Sequence, residues 1–300
     1  MDSLRVGIVG VGNMGGALAA RLLELGWSVQ VCDLDAAKTR DLEALGAVIR
    51  MTPAECARDC GALIVCVVHS LQIESVLFGP DGAAAGMAPG QAVLLCPTIA
   101  PEDAERFAAR LQQRGIAAID APMSGGPVRA RDGSMSLMLA CEDAVFEQQR
   151  TLIEALSNKV FRISERPGDG ARTKLVNNLL AGINLVAAAE VLALAERLGL
   201  AAGPTLSVIE QSSGQSWIGS DRMRRAISGD FEPRAHMTLL AKDTRLALQA
   251  AAAAGFDGPL GDAAATVFAK ACAAGLDCKD DAAVLQWLRG SAAPRPRTGA

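Results

Sequence analysis

The 300-residue chain contains no tyrosine and only two histidines, and these shortages exclude whole classes of site. Without tyrosine there is no Tyr-x-x-x-Lys catalytic pair. Eight cysteines are spread along the chain and none forms a Cys-x-x-Cys pair. Histidine and paired cysteine are the usual zinc ligands, so we expect no metal site. The scattered thiols are typical of free cysteines in a reducing cytoplasm.

The chain also lacks a strong charge field and a long apolar run. Its formal net charge is -4, so we expect no nucleic acid partner. No uninterrupted apolar run reaches the roughly 18 residues that span a bilayer. The first strand-like run, Leu4 to Val9, is not preceded by a basic segment of the kind found in signal peptides. We therefore expect a cytoplasmic protein with no membrane partner.

A glycine motif follows the first apolar run. The run ends at Val9 and leads into Gly10-Val-Gly-Asn-Met-Gly15, then a predicted helix to about Leu25 and a strand over 28–32. Strand, glycine turn, helix and strand in this order form the dinucleotide-binding fingerprint, in which the helix N-terminus faces the pyrophosphate. The alternative is a glycine-rich turn in another kind of α/β protein. The predicted cofactor-binding residues of the turn are Gly10, Gly12, Asn13, Met14 and Gly15.

Asp33 follows the second strand and bears on the choice of cofactor. A carboxylate here accepts a hydrogen bond from the ribose 2′-hydroxyl and repels a 2′-phosphate. No arginine follows at once, and the nearby bases, Lys38 and Arg40, lie on the next predicted helix. The sequence therefore favours NAD over NADP.

Strands and helices alternate as far as Ile163, with a buried strand over 63–68 among them, and only helical patterns follow Pro167. The alternation predicts a mostly parallel sheet with right-handed crossovers. We predict an α/β Rossmann dinucleotide-binding domain over residues 1–165, an all-α C-terminal domain over 166–290, and a flexible tail over 291–300. The predicted helices of the second domain are apolar over wide arcs, which predicts a homodimer or homotetramer. They cover about 171–198, 204–212, 217–228, 235–254, 259–274 and 280–289.

Several polar groups fall at or just after predicted strand ends, where α/β sheets bind ligands. Val68, His69 and Thr98 are candidate cofactor contacts, although Thr98 could instead cap a helix and His69 could be a solvated loop residue. Ser124-Gly125-Gly126 could turn successive N–H groups toward one point and hold a carboxylate. Because Gly-Gly-Pro also punctuates chains, this stretch could instead be a plain turn.

A lysine and an asparagine stand out on the predicted helix over 171–198. Lys174 and Asn178 are four residues apart and so share one face of an otherwise largely apolar helix. Burial favours the neutral form of an amine, and a neutral lysine can act as a general base. The alternative is a lysine that extends to the surface beside a capping asparagine.

Four ordered motifs resemble the β-hydroxyacid dehydrogenase family: Gly10 to Gly15, Asp120-Ala-Pro-Met-Ser-Gly-Gly126, Gly168-x-Gly-x-x-x-Lys174-x-x-Asn-Asn178, and Lys242-Asp243. The resemblance covers almost the whole chain. It implies that Lys174 is catalytic, Asn178 orients the substrate, Ser124 to Gly126 hold its carboxylate, and Lys242, beside Asp243, lies near the nicotinamide. Thr98 matches a cofactor-contacting threonine, but Cys96-Pro97 departs from the family pattern there.

The resemblance also implies a substrate class, a small 3-hydroxy acid. The second half is most similar to the L-threonate dehydrogenases of this family, whereas Asn177-Asn178 stands where those relatives tend to carry His-Gln. A 3-hydroxyisobutyrate dehydrogenase or a tartronate semialdehyde reductase therefore remains an alternative, as does a dinucleotide-binding sensor without catalysis. Trp217 either walls the substrate pocket or belongs to the core.

Overall fold

The computed structural model describes residues 5–291 and divides into two compact units. The first unit ends at Lys174 and the second begins at Leu175. This division falls inside a long helix, whereas the boundary predicted at 165/166 precedes it and stays a prediction. Of the predicted tail, residues 292–300 lie outside the described residues, and Ser291 is the last residue of the final helix.

The first unit alternates strands and helices. Its strands are β1 (Arg5–Val9), β2 (Ser28–Cys32), β3 (Val48–Ile49), β4 (Ala62–Val65), β5 (Ala92–Leu95), β6 (Ala117–Asp120), β7 (Met123–Ser124), β8 (Ser136–Ala140) and β9 (Lys159–Ser164). Its helices are α1 (Asn13–Glu24), α2 (Ala36–Ala44), α3 (Pro53–Ala57), α4 (Ser70–Phe78), α5 (Ala83–Gly86), α6 (Pro101–Gln112), α7 (Gly126–Asp132) and α8 (Asp143–Leu156).

Within the described residues, nine strands form a single sheet. The order is β3-β2-β1-β4-β5-β6-β8-β7, and β9 pairs with β8. All pairs from β3 to β6 are parallel, β8 runs antiparallel to β6 and β7, and β9 is parallel to β8. The central strands are buried on both faces, which is why they read as continuous apolar runs. The predicted mostly parallel sheet is confirmed.

Two local features of this unit differ from what the sequence predicts. The strand predicted over 63–68 ends at Val65, because the side chain of Gln72 accepts the N–H groups of Val68 and His69 and turns the chain into α4. The Ser124 to Gly126 stretch is predicted as a carboxylate-holding turn, with a plain turn as the alternative, and neither interpretation includes the short helix α7 that begins at Gly126. The sequence does not predict β3, β7 or α5. Elements of two to four residues are too short to show a periodic pattern of apolar residues.

Helices build the second unit, as predicted. They are α9 (Asp169–Arg197), which begins in the first unit, then α10 (Ala202–Glu210), α11 (Trp217–Ser228), α12 (Met237–Ala253), α13 (Pro259–Ala271) and α14 (Val284–Ser291). The helix predicted over 259–274 ends early in a π-helical turn, where Gly275 takes a φ of +83°. The helix predicted over 280–289 begins as a short 3-10 turn capped by the side chain of Asp280.

An ion network of two arginines and two aspartates joins three distant segments of the second unit. Asp280 is fully buried; its Oδ1 accepts from Arg225 at 2.8 Å, and its Oδ2 accepts from the backbone N–H of Arg234 at 2.8 Å. Arg222 Nε lies 2.6 Å from Asp281 Oδ1. Burial raises the pKa of Asp281 to about 7 against the opposing charge of Arg222. The network therefore ties α11 to the segments that precede α12 and α14.

One helix of the described residues, Asp169–Arg197, is long and apolar enough to cross a membrane. Core helices of soluble proteins reach the same length and hydropathy. The helix carries Lys174, Asn178 and Asn184 along its length. We therefore interpret it as a helix of the folded unit.

Candidate active site

The glycine turn after β1 has the shape that a pyrophosphate requires. Gly10 has a φ of +87°, and a Cβ there would lie 2.7 Å from the carbonyl oxygen of Cys66. A Cβ on Gly15 would lie 1.9 Å from the Gly10 carbonyl oxygen, so helix and strand pack closely only with glycine here. A Cβ on Gly12 would meet nothing within 4 Å. The backbone of this turn is therefore open to a ligand at its middle glycine.

The start of α1 fits the same ligand. Asn13 and Met14 are the first two residues of α1, and its N-cap, Gly12, has no side chain to satisfy the N–H groups of the first turn. Such N–H groups, together with the helix dipole, favour an anion. The residues present thus fit the pyrophosphate of a dinucleotide.

Asp33 is held in place at the end of β2 by two backbone N–H groups. Its Oδ2 accepts from Val11 at 2.8 Å and its Oδ1 accepts from Asp35 at 2.9 Å. Each carboxylate oxygen has a second lone pair. The carboxylate is therefore pre-oriented beside the glycine turn and keeps acceptor capacity for a sugar hydroxyl.

The other predicted cofactor contacts of this unit lie beyond the ends of β4 and β5. Val68 and His69 are exposed, and His69 is the N-cap residue of α4. Thr98 is half-buried in the segment between β5 and α6. Neighbouring parallel strands β4 and β5 carry these segments at the same edge of the sheet. Their contact with a cofactor stays a prediction.

The Ser124-Gly-Gly turn joins β7 to α7. Gly125 has a φ of +130° and Gly126 a φ of +75°, and both values lie in the region that glycine adopts readily. No side chain caps the start of α7. A Cβ on Gly126 would meet nothing within 4 Å, whereas one on Gly125 would strike the side chain of Arg129. The turn leaves backbone open at Gly126, and its role in holding a carboxylate stays a prediction.

Asp120, at the end of β6, has a role that the sequence did not reveal. Its Oδ2 accepts the N–H groups of Gly168 and Ala171, each at 2.9 Å. Gly168 immediately precedes α9 and Ala171 lies in its first turn, so Asp120 caps that helix from 48 and 51 residues away. A Cβ on Gly170 would lie 2.9 Å from the Asp120 carboxylate, which explains the glycine. The sequence signal for this contact is limited to an aspartate at a strand end and the later Gly168-x-Gly170.

Lys174 is buried within α9, with 7% of its surface exposed. The alternative of a lysine that extends to the surface is therefore wrong. Asn178, one turn further on, is 8% exposed. Four residues correspond to about 40° around a helix, so the two side chains lie on one face of α9.

A chain of polar contacts fixes the amide of Asn178 within the second unit. Asn178 Nδ2 donates to Asp243 Oδ2 at 2.6 Å, and Asn177 Nδ2 donates to Asn178 Oδ1 at 3.0 Å. Lys242 Nζ lies 2.9 Å from Asp243 Oδ1. Because an ionised carboxylate only accepts, the NH2 group of Asn178 must face Asp243. The amide still has a second N–H.

Trp217 is the first residue of α11 and is 44% exposed. It is therefore not a core residue, and the interpretation of Trp217 as a core side chain is wrong. Whether it walls a substrate pocket stays a prediction.

Two family models match consecutive parts of the chain. Residues 5–164 match the NAD binding domain of 6-phosphogluconate dehydrogenase, and residues 168–288 match the model described as NAD-binding of NADP-dependent 3-hydroxyisobutyrate dehydrogenase. The L-threonate dehydrogenase of Escherichia coli O6:H1 is 37% identical, and the match covers 98% of this chain and 97% of that protein.

Two further relatives agree with this result. An NAD-dependent L-serine dehydrogenase of Pseudomonas aeruginosa is 30% identical over 88% of this chain and 91% of that protein. The crystal structure of a 3-hydroxyisobutyrate dehydrogenase from Salmonella typhimurium matches with a TM-score of 0.90 and 37% identity, covering 95% of this chain and all of that one (100%).

The chain belongs to the β-hydroxyacid dehydrogenase family. It is an oxidoreductase of the hydroxyacid dehydrogenase type with a pyridine-nucleotide cofactor. The predicted Rossmann domain followed by an all-α domain is confirmed. In this dehydrogenase, the Asp120 cap fixes the first turn of the helix that carries Lys174.

The raised pKa of Asp120 predicts how the unfolding free energy of the protein changes with pH. Burial raises the pKa of Asp120 to about 6 from an ordinary value of 3.8, although the N–H groups of α9 oppose the shift. A raised carboxyl pKa stabilises the fold below the ordinary value, and this stabilisation is lost as pH rises through the folded pKa. Asp120→Asn stays neutral and keeps an acceptor oxygen. Between pH 4.5 and 7.5 the unfolding free energy of the wild type should fall by about 2 kcal/mol relative to Asp120→Asn.

Urea denaturation of both proteins at several pH values measures this difference, and groups other than Asp120 cancel in the comparison. Parallel stability curves would show that Asp120 titrates near its ordinary value, and would contradict the prediction.

Proposed function

We propose that this dehydrogenase oxidises the hydroxyl group of a small 3-hydroxy acid such as L-threonate, with NAD as the preferred cofactor and Lys174 as the proton acceptor. The observation that carries the proposal is the burial of Lys174, one turn from an asparagine whose amide is fixed by Asp243. The alternatives within the family are oxidation of 3-hydroxyisobutyrate and reduction of tartronate semialdehyde.

Burial suits Lys174 to the task of a general base. Removing a primary amine from water disfavours its charged form, and the neutral amine is the form that accepts a proton. In oxidation, Lys174 Nζ takes the proton of the substrate hydroxyl; in reduction, it returns that proton to the oxygen. A bound nicotinamide dinucleotide supplies the hydride acceptor for this reaction.

Asn178 orients the oxygen from which the proton leaves. One N–H of its amide is held by Asp243, so the second N–H points in a fixed direction. A donor fixed in advance needs no reorganisation when charge develops on the substrate oxygen. Ser124, Gly125 and Gly126 bind the substrate carboxylate through backbone N–H groups in this proposal, which sets the distance between carboxylate and reacting hydroxyl.

The preference for NAD rests on Asp33. Val11 and Asp35 hold its carboxylate next to the glycine turn, where the ribose of a dinucleotide comes to lie in this fold. A 2′-phosphate at that position would meet a fixed negative charge. L-threonate is chosen because the chain is 37% identical to an L-threonate dehydrogenase over 98% of its length. One relative is named as an NAD-dependent dehydrogenase, which agrees with the proposed cofactor.

Replacing Lys174 tests the proton acceptor. Lys174→Ala should lower kcat by roughly 10³-fold, within the range that positioned acid–base groups contribute. Its affinity for NADH should stay within a few-fold of the wild type, because the glycine turn and Asp33 are untouched. Turnover is followed by NADH absorbance with L-threonate, D-glycerate, L-serine and 3-hydroxyisobutyrate, and NADH binding by fluorescence titration.

Lys270→Ala serves as the control, because Lys270 is an exposed lysine on α13. Near-normal turnover of Lys174→Ala would remove Lys174 from the mechanism. Tight NADH binding by the wild type without oxidation of any acid in the panel would instead favour the dinucleotide-binding sensor.

Replacing Asp33 tests the cofactor preference. In Asp33→Asn the amide oxygen can still accept from Val11, while the negative charge is gone. We expect the ratio of kcat/KM for NAD to kcat/KM for NADP to fall by about 10-fold to 100-fold, equivalent to about 1.4–2.7 kcal/mol. Steady-state kinetics with both cofactors gives the ratio. A wild-type enzyme that prefers NADP would contradict the argument from Asp33.

A further inference from the structure

Two cysteines stand side by side at the ends of neighbouring strands of the first unit. The parallel strands β4 and β5 pair Val65 with Leu95. The next residue of each segment is a cysteine, Cys66 after β4 and Cys96 after β5. The ladder continues to this point, since the Cys96 N–H donates to the Val65 carbonyl oxygen at 3.1 Å. The two cysteines therefore occupy matching positions one strand apart, and we call them the Cys66–Cys96 pair.

Both side chains of the pair lie on the face of the sheet that packs against α1. Val65 and Leu95 belong to the apolar cluster of the opposite face, and side chains alternate between faces along a strand. Cys96 belongs to the cluster that contains Leu18 of α1, and Cys66 packs against that cluster. A hydrogen bond with the side chain of Cys66, together with burial, raises the pKa of the Cys96 thiol. The two thiols are therefore in contact.

The two thiols of the pair differ in exposure. Cys66 is half-buried, whereas Cys96 is only 5% exposed. All eight cysteines lie within residues 5–291, and the other two that are not buried, Cys272 and Cys278, belong to the second unit. In the first unit, Cys66 is therefore the thiol that a small dissolved oxidant reaches first, and Cys96 lies directly beside it.

Cys66 also supports the glycine turn that fits the pyrophosphate of a dinucleotide. Its N–H donates to the carbonyl oxygen of Val9, the last residue before the turn, at 2.8 Å. Its own carbonyl oxygen lies 2.7 Å from the position of a Cβ on Gly10, and its Cβ lies 3.1 Å from that of a Cβ on Gly15. Because close-packed contacts transmit displacements, a movement of Cys66 also moves the turn.

We propose that the Cys66–Cys96 pair is an oxidation site, at which a peroxide converts the two thiols into a disulfide and thereby weakens dinucleotide binding at the glycine turn. Neither thiol takes part in the proposed transfer of a proton to Lys174, so the site adds a response to oxidants that the dehydrogenase reaction does not need. It depends on the pyridine-nucleotide cofactor and not on the identity of the hydroxy acid.

The oxidation proceeds in two steps with hydrogen peroxide as the oxidant. The Cys66 thiolate attacks one peroxide oxygen, so that an S–O bond forms, the O–O bond breaks, and the second oxygen leaves as water with the thiol proton. The Cys96 sulfur then attacks the Cys66 sulfenic acid, so that the S–S bond forms, the S–O bond breaks, and the hydroxyl leaves as water with the Cys96 proton. Each sulfur loses one electron and the peroxide gains two. Because its pKa is raised, Cys96 keeps its proton until the second step.

Closing the disulfide requires Cys66 to move toward β5. Neighbouring strands are about 4.8 Å apart and matching Cβ atoms point the same way, whereas the Cβ atoms of a disulfide are about 3.8 Å apart. The two strand ends therefore have to approach by about 1 Å. This movement lengthens the hydrogen bond from Cys66 to Val9 and withdraws the support beneath Gly10 and Gly15. The backbone at Gly12 then no longer has the arrangement that fits a pyrophosphate.

Bound dinucleotide should oppose the disulfide by the same factor by which the disulfide weakens binding, because coupling between two sites is reciprocal. If the disulfide raises the Kd for NADH about 10-fold, saturating NADH raises the midpoint potential of the pair by about 30 mV, the value for a tenfold change in a two-electron couple. Protein with bound cofactor thus resists oxidation, and protein without cofactor is oxidised first.

Thiol chemistry tests the site in a Cys272→Ser/Cys278→Ser parent, which lacks the other two thiols that are not buried. Treatment with hydrogen peroxide should remove two hydrogens from each chain, and dithiothreitol should restore them. The protease Glu-C cleaves after Glu74 and so separates the segments that carry Cys66 and Cys96. Non-reducing mass spectrometry should then show these two segments joined by a disulfide.

The variants Cys66→Ala and Cys96→Ala, made in the same parent, should each abolish this link. The first segment also contains Cys56 and Cys60, so a link that persists in Cys66→Ala would assign the disulfide to one of those two residues. That result overturns the proposal, as does a parent protein in which peroxide produces no link. Far-UV circular dichroism checks that each variant is folded.

Fluorescence titration with NADH tests the consequence for cofactor binding. The oxidised parent should bind NADH with a Kd about 10-fold higher than the reduced parent, and dithiothreitol should reverse the change. Cys96→Ala is the matched control, because it keeps Cys66 and its contacts with the turn but has no partner sulfur. Its Kd should be the same before and after peroxide. An unchanged Kd in the linked parent, or an equal loss in Cys96→Ala, would overturn the proposed coupling.

A redox titration of the wild type tests the reciprocal effect without a substitution at either thiol of the pair. The fraction of linked segments is measured in glutathione buffers of graded potential, with and without saturating NADH. The midpoint should rise by about 30 mV with NADH, in proportion to a 10-fold change in Kd. A midpoint that stays the same or falls would contradict the coupling. None of these measurements uses turnover of a hydroxy acid, so their outcome is separate from that of the proposed function.

Discussion

Keeping the amine of Lys174 away from water is the constraint around which the proposed chemistry is arranged. A buried amine is expensive unless it is neutral or paired, and this condition makes it suitable for proton transfer. Two separate anchors support its helix. Asp120 satisfies N–H groups at the start of α9, and Asp243 fixes the amide of Asn178 one turn beyond Lys174. The proposed proton acceptor and its neighbour are thus set by contacts made before any substrate binds.

Helix α9 combines two properties that its overall hydrophobicity conceals. One side carries Lys174, Asn178 and the buried packing residues, and the other carries exposed apolar residues such as Val176, Leu180 and Leu194. The mean hydropathy of such a helix resembles that of a membrane span. Viewed around its axis, the helix has one buried face and one narrower face of exposed apolar side chains.

Local sequence signals predicted the fold well and the connections within the site poorly. The glycine turn, the buried strands and the helices each carry their pattern within a few neighbouring residues. The cap from Asp120 joins groups 48 residues apart, and the contact from Asn178 to Asp243 joins groups 65 apart, so neither leaves a periodic trace. The sequence could not decide whether Lys174 is exposed, because a surface lysine and a buried lysine would have the same four-residue spacing from Asn178. The helix α7 was missed because two glycines and a proline at its start are also typical of a turn.

The most direct measurement of the central claim is chemical rescue of Lys174→Ala by small primary amines. If a neutral amine at this position accepts the substrate proton, added methylamine should enter the space left by the side chain and restore part of the lost rate. The rescue should rise with the concentration of the unprotonated amine across pH, and bulkier amines should be less effective. If Lys174→Ala still binds NADH and substrate but no amine raises its turnover at any pH, Lys174 is not the proton acceptor.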